Sequence, residues 1–184
     1  LIRKSDVLQK LLRALALQLG NEVSMNELSQ VVGADKATVM SYINLLEKTF
    51  VIFRLLPLSR NLRNEISSSR KIYFYDNGIR NAIINNFSPL TLRQDVGALW
   101  ENFLISERIK VNHYRKRYVN TYFWRTQAQQ EIDYIEESDG QFKAFEFKWN
   151  ERKTSKLPAK FAEAYAPQIF EVINRQNFDS FLTD

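Results

Sequence analysis

Several residue types are scarce in this 184-residue chain, and each scarcity excludes a class of chemistry. There is no cysteine, so disulfide frameworks and thiolate zinc sites are excluded. The single histidine, His113, cannot form a two-histidine metal site. The glycines lie too far apart for a Walker A loop or a G-x-G-x-x-G turn; they are Gly20, Gly33, Gly78, Gly97 and Gly140. Any catalysis would therefore use carboxylates and lysine, with or without a divalent cation.

Long hydrophobic runs are also missing. No apolar segment approaches the roughly 18 residues of a membrane span, and no signal-peptide pattern opens the chain. We therefore expect no membrane partner, and the lack of cysteine favours a reducing, cytoplasmic location. The chain is nevertheless 45% hydrophobic and 13% aromatic, which is enough for a packed core in one large domain or two small ones. It begins at Leu1 rather than Met, which suggests a piece of a longer protein.

The net charge is +5, and part of the basic excess is concentrated in two local clusters. One places Arg115-Lys116-Arg117 between Tyr114 and Tyr118. The other lies in a polar stretch and consists of Arg60, Arg63, Arg70 and Lys71. Basic side chains interleaved with aromatic ones suit a nucleic-acid backbone. Solvated basic faces balanced by scattered acids are the alternative.

Residues 1–70 have the pattern of a winged helix-turn-helix domain. A first helix runs from Asp6 to Gly20, and a second opens at the capping box Ser24–Glu27. A third helix spans residues 36–48, and an apolar strand follows at 51–56. In such domains the outward face of the last helix enters the major groove of DNA. The residues that we predict to bind nucleic acid on this face are Lys36, Ser41, Asn44 and Lys48. Simple packing of three helices, or binding of a protein, remains open.

Residues 71–184 have an α/β pattern. A strand at 71–75 and a short helix are followed by an amphipathic helix at 95–112 and a strand at 119–126. A hairpin at 131–148, a helix at 160–165 and a strand at 168–173 complete the order. We therefore expect an α+β or α/β protein with two domains, 1–70 and 71–184, the second with a mixed sheet.

The hairpin sequence EIDYIEESDGQFKAFEFK predicts its own register. Asp139-Gly140 is a strong signal for a two-residue type I′ turn, and paired residue numbers then sum to 279. Asp133 lies opposite Glu146 in this register. Alternation predicts that one face carries Ile132, Tyr134, Phe145 and Phe147.

Two carboxylates facing each other across a sheet are unfavourable, because like charges repel. A divalent cation that accepts oxygen atoms from Asp133 and Glu146 would remove this penalty, and Mg²⁺ prefers such ligands. Lys148, one strand step beyond Glu146, could then orient a water molecule or stabilise charge on a phosphate. An ordinary solvent-exposed hairpin face is the alternative.

Asp133 on one strand and Glu146-Phe147-Lys148 on the next, after a helix that bears Glu101, resemble the core of the PD-(D/E)XK nuclease superfamily. Further landmarks closely resemble the C-terminal region of a large family of bacterial and archaeal AAA-type ATPases, a region generally labelled a domain of unknown function. These landmarks are YFYDNGI at 73–79, GALWENF at 97–103, FWRT at 123–126, EIDY at 131–134 and FEFK at 145–148. The proline of the superfamily name is absent, since Ile132 precedes the aspartate.

The resemblance implies a winged helix followed by a restriction-endonuclease-like domain, downstream of a P-loop ATPase domain that this chain lacks and that alone would bind ATP. It implies catalytic roles for Glu101, Asp133, Glu146 and Lys148. Of these, Asp133, Glu146 and Glu101 would hold Mg²⁺ or Mn²⁺. The predicted function is metal-dependent hydrolysis of phosphodiesters in DNA, or in RNA, by a module of the ATPase. The alternative is a catalytically inactive interaction or regulatory domain that binds DNA or a protein.

Overall fold

The computed structural model describes residues 5–59 and 70–183. These residues form two compact units: the N-terminal unit contains residues 5–55 and 70–102, and the C-terminal unit contains 56–59 and 103–183. Residues 70–102 thus group with the N-terminal helices, beyond the predicted domain boundary at 70. Arg60 and Arg63 of the second basic cluster lie outside the described residues. No helix in the described part of the chain is long and apolar enough to cross a membrane.

The N-terminal unit contains the three predicted helices; the second and third begin where the sequence predicts, and the first ends at Leu17 and not at Gly20. They are α1 (Ser5–Leu17), α2 (Met25–Val32) and α3 (Lys36–Lys48). The Ser24 hydroxyl accepts a hydrogen bond from the Glu27 amide, and Gly33 ends α2 with φ of 69°. The Asp35 side chain caps α3 in the same way. The helices bury a common apolar core that includes Val7, Leu11, Leu15, Leu28, Val39, Ile43 and Leu46.

Three strands accompany these helices: β1 (Glu22–Val23), β2 (Ile52–Pro57) and β3 (Arg70–Phe74). β3 pairs with β1 on one side and with the first residues of β2 on the other, both antiparallel. Helix α4 (Asn77–Ile83) and a short 3₁₀ helix (Leu90–Leu92) follow, and then the long helix α5 (Val96–Tyr114). The two-residue strand β1 is absent from the sequence prediction because it is too short to show alternation.

The C-terminal unit is built on a mixed sheet, as expected. Its strands are β4 (Asn120–Arg125), β5 (Glu131–Ser138), β6 (Gln141–Phe147) and β7 (Ile169–Ile173). β4, β5 and β6 pair antiparallel, β7 runs parallel to β6, and Leu56-Pro57 pair in parallel with β4. Helix α6 (Ala159–Tyr165) precedes β7, and helix α7 (Phe178–Thr183), which the sequence did not predict, follows it.

Both faces of this sheet are buried. The Trp124 cluster on one face contains Trp124, Ile132, Ile135, Ala144 and, from α6, Phe161. On the other face the Phe181 ring of α7 lies 4.9 to 6.3 Å from the rings of Tyr134, Phe145 and Phe147. Residues 132–136 and 144–147 of the hairpin therefore belong to the core, while its turn end is exposed.

A β-bulge interrupts β5 at Asp133. Tyr122 pairs with Ile135 and Trp124 pairs with Ile132, so Phe123 alone faces two residues of β5, Asp133 and Tyr134. A bulge shifts the alternation of side chains by one residue. Ile132 consequently lies in the Trp124 cluster beside Ile135, and the prediction that it shares a face with Tyr134 is wrong.

Candidate functional site

The Asp139-Gly140 turn sets the geometry of the candidate site. Both residues have positive φ, 52° and 74°, as a type I′ turn requires. The predicted register, with a sum of 279, is confirmed for every pair from Tyr134–Phe145 to Ser138–Gln141. Asp133 and Glu146 lie one step beyond the last of these pairs, at the open end of the hairpin.

Asp133 binds the neighbouring strand through its side chain. The residue is only 8% exposed, and its Oδ2 accepts a hydrogen bond from the Phe147 amide nitrogen at 2.8 Å. That nitrogen belongs to the peptide bond joining Glu146 to Phe147. The carboxylate of Asp133 is thus fixed beside the backbone of Glu146, at the point where the bulge releases β5 from strict alternation.

Glu146 is equally buried, at 8% exposure, and forms an ion pair with Lys148. The distance from Lys148 Nζ to Glu146 Oε1 is 2.6 Å. The backbone of Lys148 is fixed as well, because its amide donates to the Ile173 carbonyl oxygen at 2.9 Å. Asp133 therefore contacts the backbone between Glu146 and Phe147, while Glu146 is paired with Lys148, and these contacts offset part of the cost of burying the two acids.

Glu101 lies in the N-terminal unit, on the first part of α5. Its Oε1 accepts hydrogen bonds from Tyr73 OH at 2.5 Å and from Lys71 Nζ at 3.2 Å. The Lys71 side chain is only 2% exposed, so a nearby negative charge offsets the cost of burying its ammonium group. This pair explains Glu101 structurally, and it means that Lys71 does not belong to an exposed basic surface.

The donor set of the hairpin fits a hard divalent cation. Mg²⁺ usually takes one or two carboxylates and completes its shell with water and phosphate oxygens, and Asp133 and Glu146 supply two carboxylates on adjacent strands. Within residues 5–59 and 70–183, no group of three or more histidine, aspartate or glutamate side chains is arranged to hold a metal ion.

The predicted nucleic-acid residues of α3 are all exposed. Three of them, Ser41, Asn44 and Lys48, line one groove of about 320 Å³ together with Tyr42 and Leu45. Lys36 stands apart from that groove, in the first turn of the helix.

The groove also has an internal contact. Asn44 Oδ1 accepts a hydrogen bond from Arg54 of β2 at 3.1 Å, and Arg54 forms an ion pair with Glu47. Glu47, the acid on this part of α3, is therefore neutralised by Arg54 and not by a lysine of the same helix. The charges of Lys36 and Lys48 remain available for solvent or a ligand.

A buried polar network was missed at the sequence level. Arg108 of α5 donates from Nε and Nη2 to the two carboxylate oxygens of Glu136, both at 2.8 Å. Asn112 and the Tyr134 hydroxyl also donate to Glu136. Burial raises the pKa of Glu136, but the hydrogen bonds and charge of Arg108 outweigh it and lower the pKa overall.

A signal for this network exists in the sequence. Leu104, Arg108 and Asn112 are spaced four residues apart on one stripe of α5, and all three are buried. An arginine within an inward-facing stripe requires a buried acid as its partner. Glu136 is the acid that the strand order brings to it.

Two family profiles match the chain. One is described as "Domain of unknown function (DUF8612)" and covers residues 1–90, and the other as "Domain of unknown function (DUF4143)" and covers residues 96–181. The second domain is known in AAA-ATPase-associated proteins.

The chain is also similar to two curated proteins, "Uncharacterized protein Rv2008c" of Mycobacterium tuberculosis and "Uncharacterized protein Mb2031c" of Mycobacterium bovis. Each is 28% identical to it over 131 residues. The match covers 70% of this chain but 29% of each relative, so the chain spans less than a third of their length. No solved structure matches the chain.

Proposed function

We propose that this chain is the nucleic-acid-acting module of a AAA-type ATPase, with a winged helix and a metal-dependent, nuclease-like domain. The proposal is supported by two buried acids on adjacent strands: Asp133 accepts a hydrogen bond from the Phe147 amide, and Glu146, the residue before Phe147, is paired with Lys148. The domain that matches residues 96–181 is known in AAA-ATPase-associated proteins, which supports the link to such an enzyme. The mycobacterial relatives extend well beyond the matched region, which leaves room for an ATPase domain in a longer protein.

In this proposal the two acids hold Mg²⁺ or Mn²⁺ and the lysine assists the reaction. When bound, the metal ion supplies charge neutralisation at the phosphate and a more acidic water molecule. The hydrogen bond from the Phe147 amide orients Asp133, and the ion pair with Lys148 orients Glu146. In this role Lys148 Nζ would donate to a phosphate oxygen or to the attacking water.

The N-terminal unit would deliver the nucleic acid. The order α1, β1, α2, α3, β2, β3 with antiparallel pairing of the three strands supports a winged helix. The exposed α3 face carries Lys36 and Lys48, so binding should weaken steeply with salt and weaken further when either lysine is replaced. A flat salt response would contradict this part of the proposal.

Manganese titration of the melting temperature tests the metal site. At a free Mn²⁺ concentration of about 100 times Kd, binding stabilises by about 2.7 kcal/mol, which corresponds to a rise of about 5–10 °C for a chain of this size. Asp133→Asn should abolish the rise, since an amide oxygen can still accept from Phe147 but lacks the charge. Glu163→Gln, an exposed change on α6, should leave it intact.

Cleavage of single- and double-stranded DNA and RNA is then measured in Mg²⁺ and in Mn²⁺. The parent protein should cleave at least one form, and Asp133→Asn and Lys148→Met should not. Equal cleavage by the parent and the variants would identify a contaminating nuclease and contradict the catalytic proposal.

A non-catalytic interaction domain is the second candidate, and one observation favours it. The Phe147 amide contacts Asp133 and the Lys148 ammonium contacts Glu146, so groups of the protein itself offset part of the cost of burying these two charges. This candidate predicts neither cleavage nor stabilisation by Mn²⁺, so the same two measurements separate the candidates.

A further inference from the structure

A cavity of about 420 Å³ lies in the C-terminal unit at the turn end of the hairpin. Ser138, Asp139 and Gln141 of the turn line one side of it, and Arg117 and Tyr118 of the loop after α5 line another. Asp133 is five residues from Ser138 along β5, a separation of about 17 Å at the usual strand rise. The cavity is therefore separate from the candidate metal site.

The charge of the cavity favours an anion. Its lining contains three cations, Arg108, Arg117 and Lys143, against two carboxylates, Glu136 and Asp139. Arg108 and Glu136 neutralise each other at 2.8 Å. No carboxylate in residues 5–59 or 70–183 forms an ion pair with Arg117 or Lys143, so these two cations face the cavity with their charge available.

The loop at the mouth combines Arg117 with exposed aromatic rings, while Lys143 projects from β6. Tyr114 is 79% exposed and Tyr118 is 91% exposed, with Arg117 between them. The loop has a defined shape, because Lys116 adopts φ of 55° and the Arg117 amide donates to the Asn112 carbonyl oxygen at 2.8 Å. A cationic groove flanked by accessible rings is the arrangement that binds single strands, whose bases stack on the rings while phosphates meet the cations.

We propose that this cavity and its loop form a binding site for a single-stranded nucleic acid. One nucleotide unit occupies the cavity, with its base on Tyr118 and its phosphate between Arg117 and Lys143. A duplex does not fit this chemistry, because its bases are stacked inside and cannot reach Tyr118. A free nucleotide shares the chemistry, but Tyr114 and Arg115 continue the same pattern outside the cavity, which favours a longer strand. The site deepens the proposed function by naming the strand that it takes, yet it needs no metal ion.

Fluorescence anisotropy with a short labelled oligothymidylate, in EDTA, tests the site. Tyr118→Ala should weaken binding by about tenfold, since stacking on one ring is lost, whereas Tyr118→Phe keeps the ring and should bind like the parent. Lys143→Ala should lower the slope of log affinity against log salt by about 0.7, the value for one phosphate of a single strand. Lys160→Ala removes the same charge from the exposed face of α6 and should leave the slope unchanged.

Three outcomes would overturn the site. They are equal affinity of Tyr118→Ala and parent, equal affinity for an oligonucleotide and a free mononucleotide, and equal affinity for single strand and duplex. An oligouridylate arm identifies the strand as DNA or RNA. Asp133→Asn should not change binding in EDTA, so loss of Mn²⁺ stabilisation in that variant and loss of strand binding in Tyr118→Ala report on separate sites.

Discussion

The buried pair of Arg108 and Glu136 allows a direct test of what holds the C-terminal unit together. Glu136 is only 4% exposed. Its carboxylate accepts two hydrogen bonds from Arg108 and a third, at 2.6 Å, from the Asn112 side chain. Glu136→Met keeps the length of the side chain but leaves the Arg108 guanidinium buried without its counter-charge. Removing one partner of a buried pair costs about 3–5 kcal/mol.

This cost is large for a protein of ordinary stability. Domains unfold at a cost of about 5–15 kcal/mol in total, and at this chain length 1 kcal/mol shifts the melting temperature by about 2–4 °C. Glu136→Met should therefore lower the melting temperature by about 6–20 °C at neutral pH. The pKa of Glu136 is lowered in the folded state, so its stabilisation is present above the usual glutamate pKa and is lost as the pH falls below it. The difference between variant and parent should shrink in acid.

Urea denaturation followed by tryptophan fluorescence measures the cost, since Trp124 and Trp149 lie in the same unit. The double variant Arg108→Met, Glu136→Met leaves neither charge buried alone and should be more stable than either single variant. Glu163→Met on the exposed face of α6 is the matched control. The reasoning fails if Glu136→Met lies within about 0.5 kcal/mol of the parent, the range of surface substitutions, or if the two single costs simply add.

Three further substitutions test other contacts. Glu101→Gln should lower the free energy of unfolding in urea by about 3 kcal/mol, because the carboxylate no longer balances the buried charge of Lys71. Asp95→Asn should lower the melting temperature at neutral pH and converge with the parent in acid. The reason is that hydrogen bonding to Arg93 lowers the pKa of Asp95, so its contribution is present above the usual aspartate pKa and is lost below it. Gly140→Ala should cost about 1 kcal/mol in urea, because φ of 74° disfavours any Cβ.

Each of these changes has a matched comparison. Glu107→Gln alters a more exposed acid on the same helix as Glu101, and equal costs would contradict the buried pair. Gly97→Ala is the control for Gly140→Ala, since a Cβ at either position meets nothing within 4 Å and only Gly140 has positive φ. A difference between Asp95→Asn and parent that stays constant from neutral pH to acid would rule out a lowered pKa for Asp95.

Local signals predicted most elements of this fold. Ser24 begins α2 through its hydrogen bond to Glu27, and Asp139-Gly140 forms the predicted turn with two positive φ values. The hairpin register follows from that turn, so the sequence predicts every pair from Tyr134–Phe145 to Ser138–Gln141. In each case the decisive residues are a few positions apart.

Features that depend on distant partners could not be predicted in the same way. The bulge at Asp133 arises from pairing with β4, and the sequence of β5 contains no signal for it. Simple alternation therefore predicts the wrong face for Ile132. Arg108 and Glu136 are separated by 28 positions, and only the strand order brings them together. The partners of Glu101 come from β3, about 30 positions earlier in the N-terminal unit, and similarity to a sequence motif does not reveal them.

The division of β2 between the two units has a practical consequence for anyone preparing fragments. Leu56 and Pro57 pair with β4, and the Leu58 amide donates to the Phe123 carbonyl oxygen at 2.7 Å. A recombinant product starting at residue 71 would lack this pairing segment. The edge of β4 would then be exposed, and its backbone groups could pair with a second molecule. Such a product should self-associate or precipitate. A product that starts before Leu56 keeps the pairing with β4 and should stay monomeric.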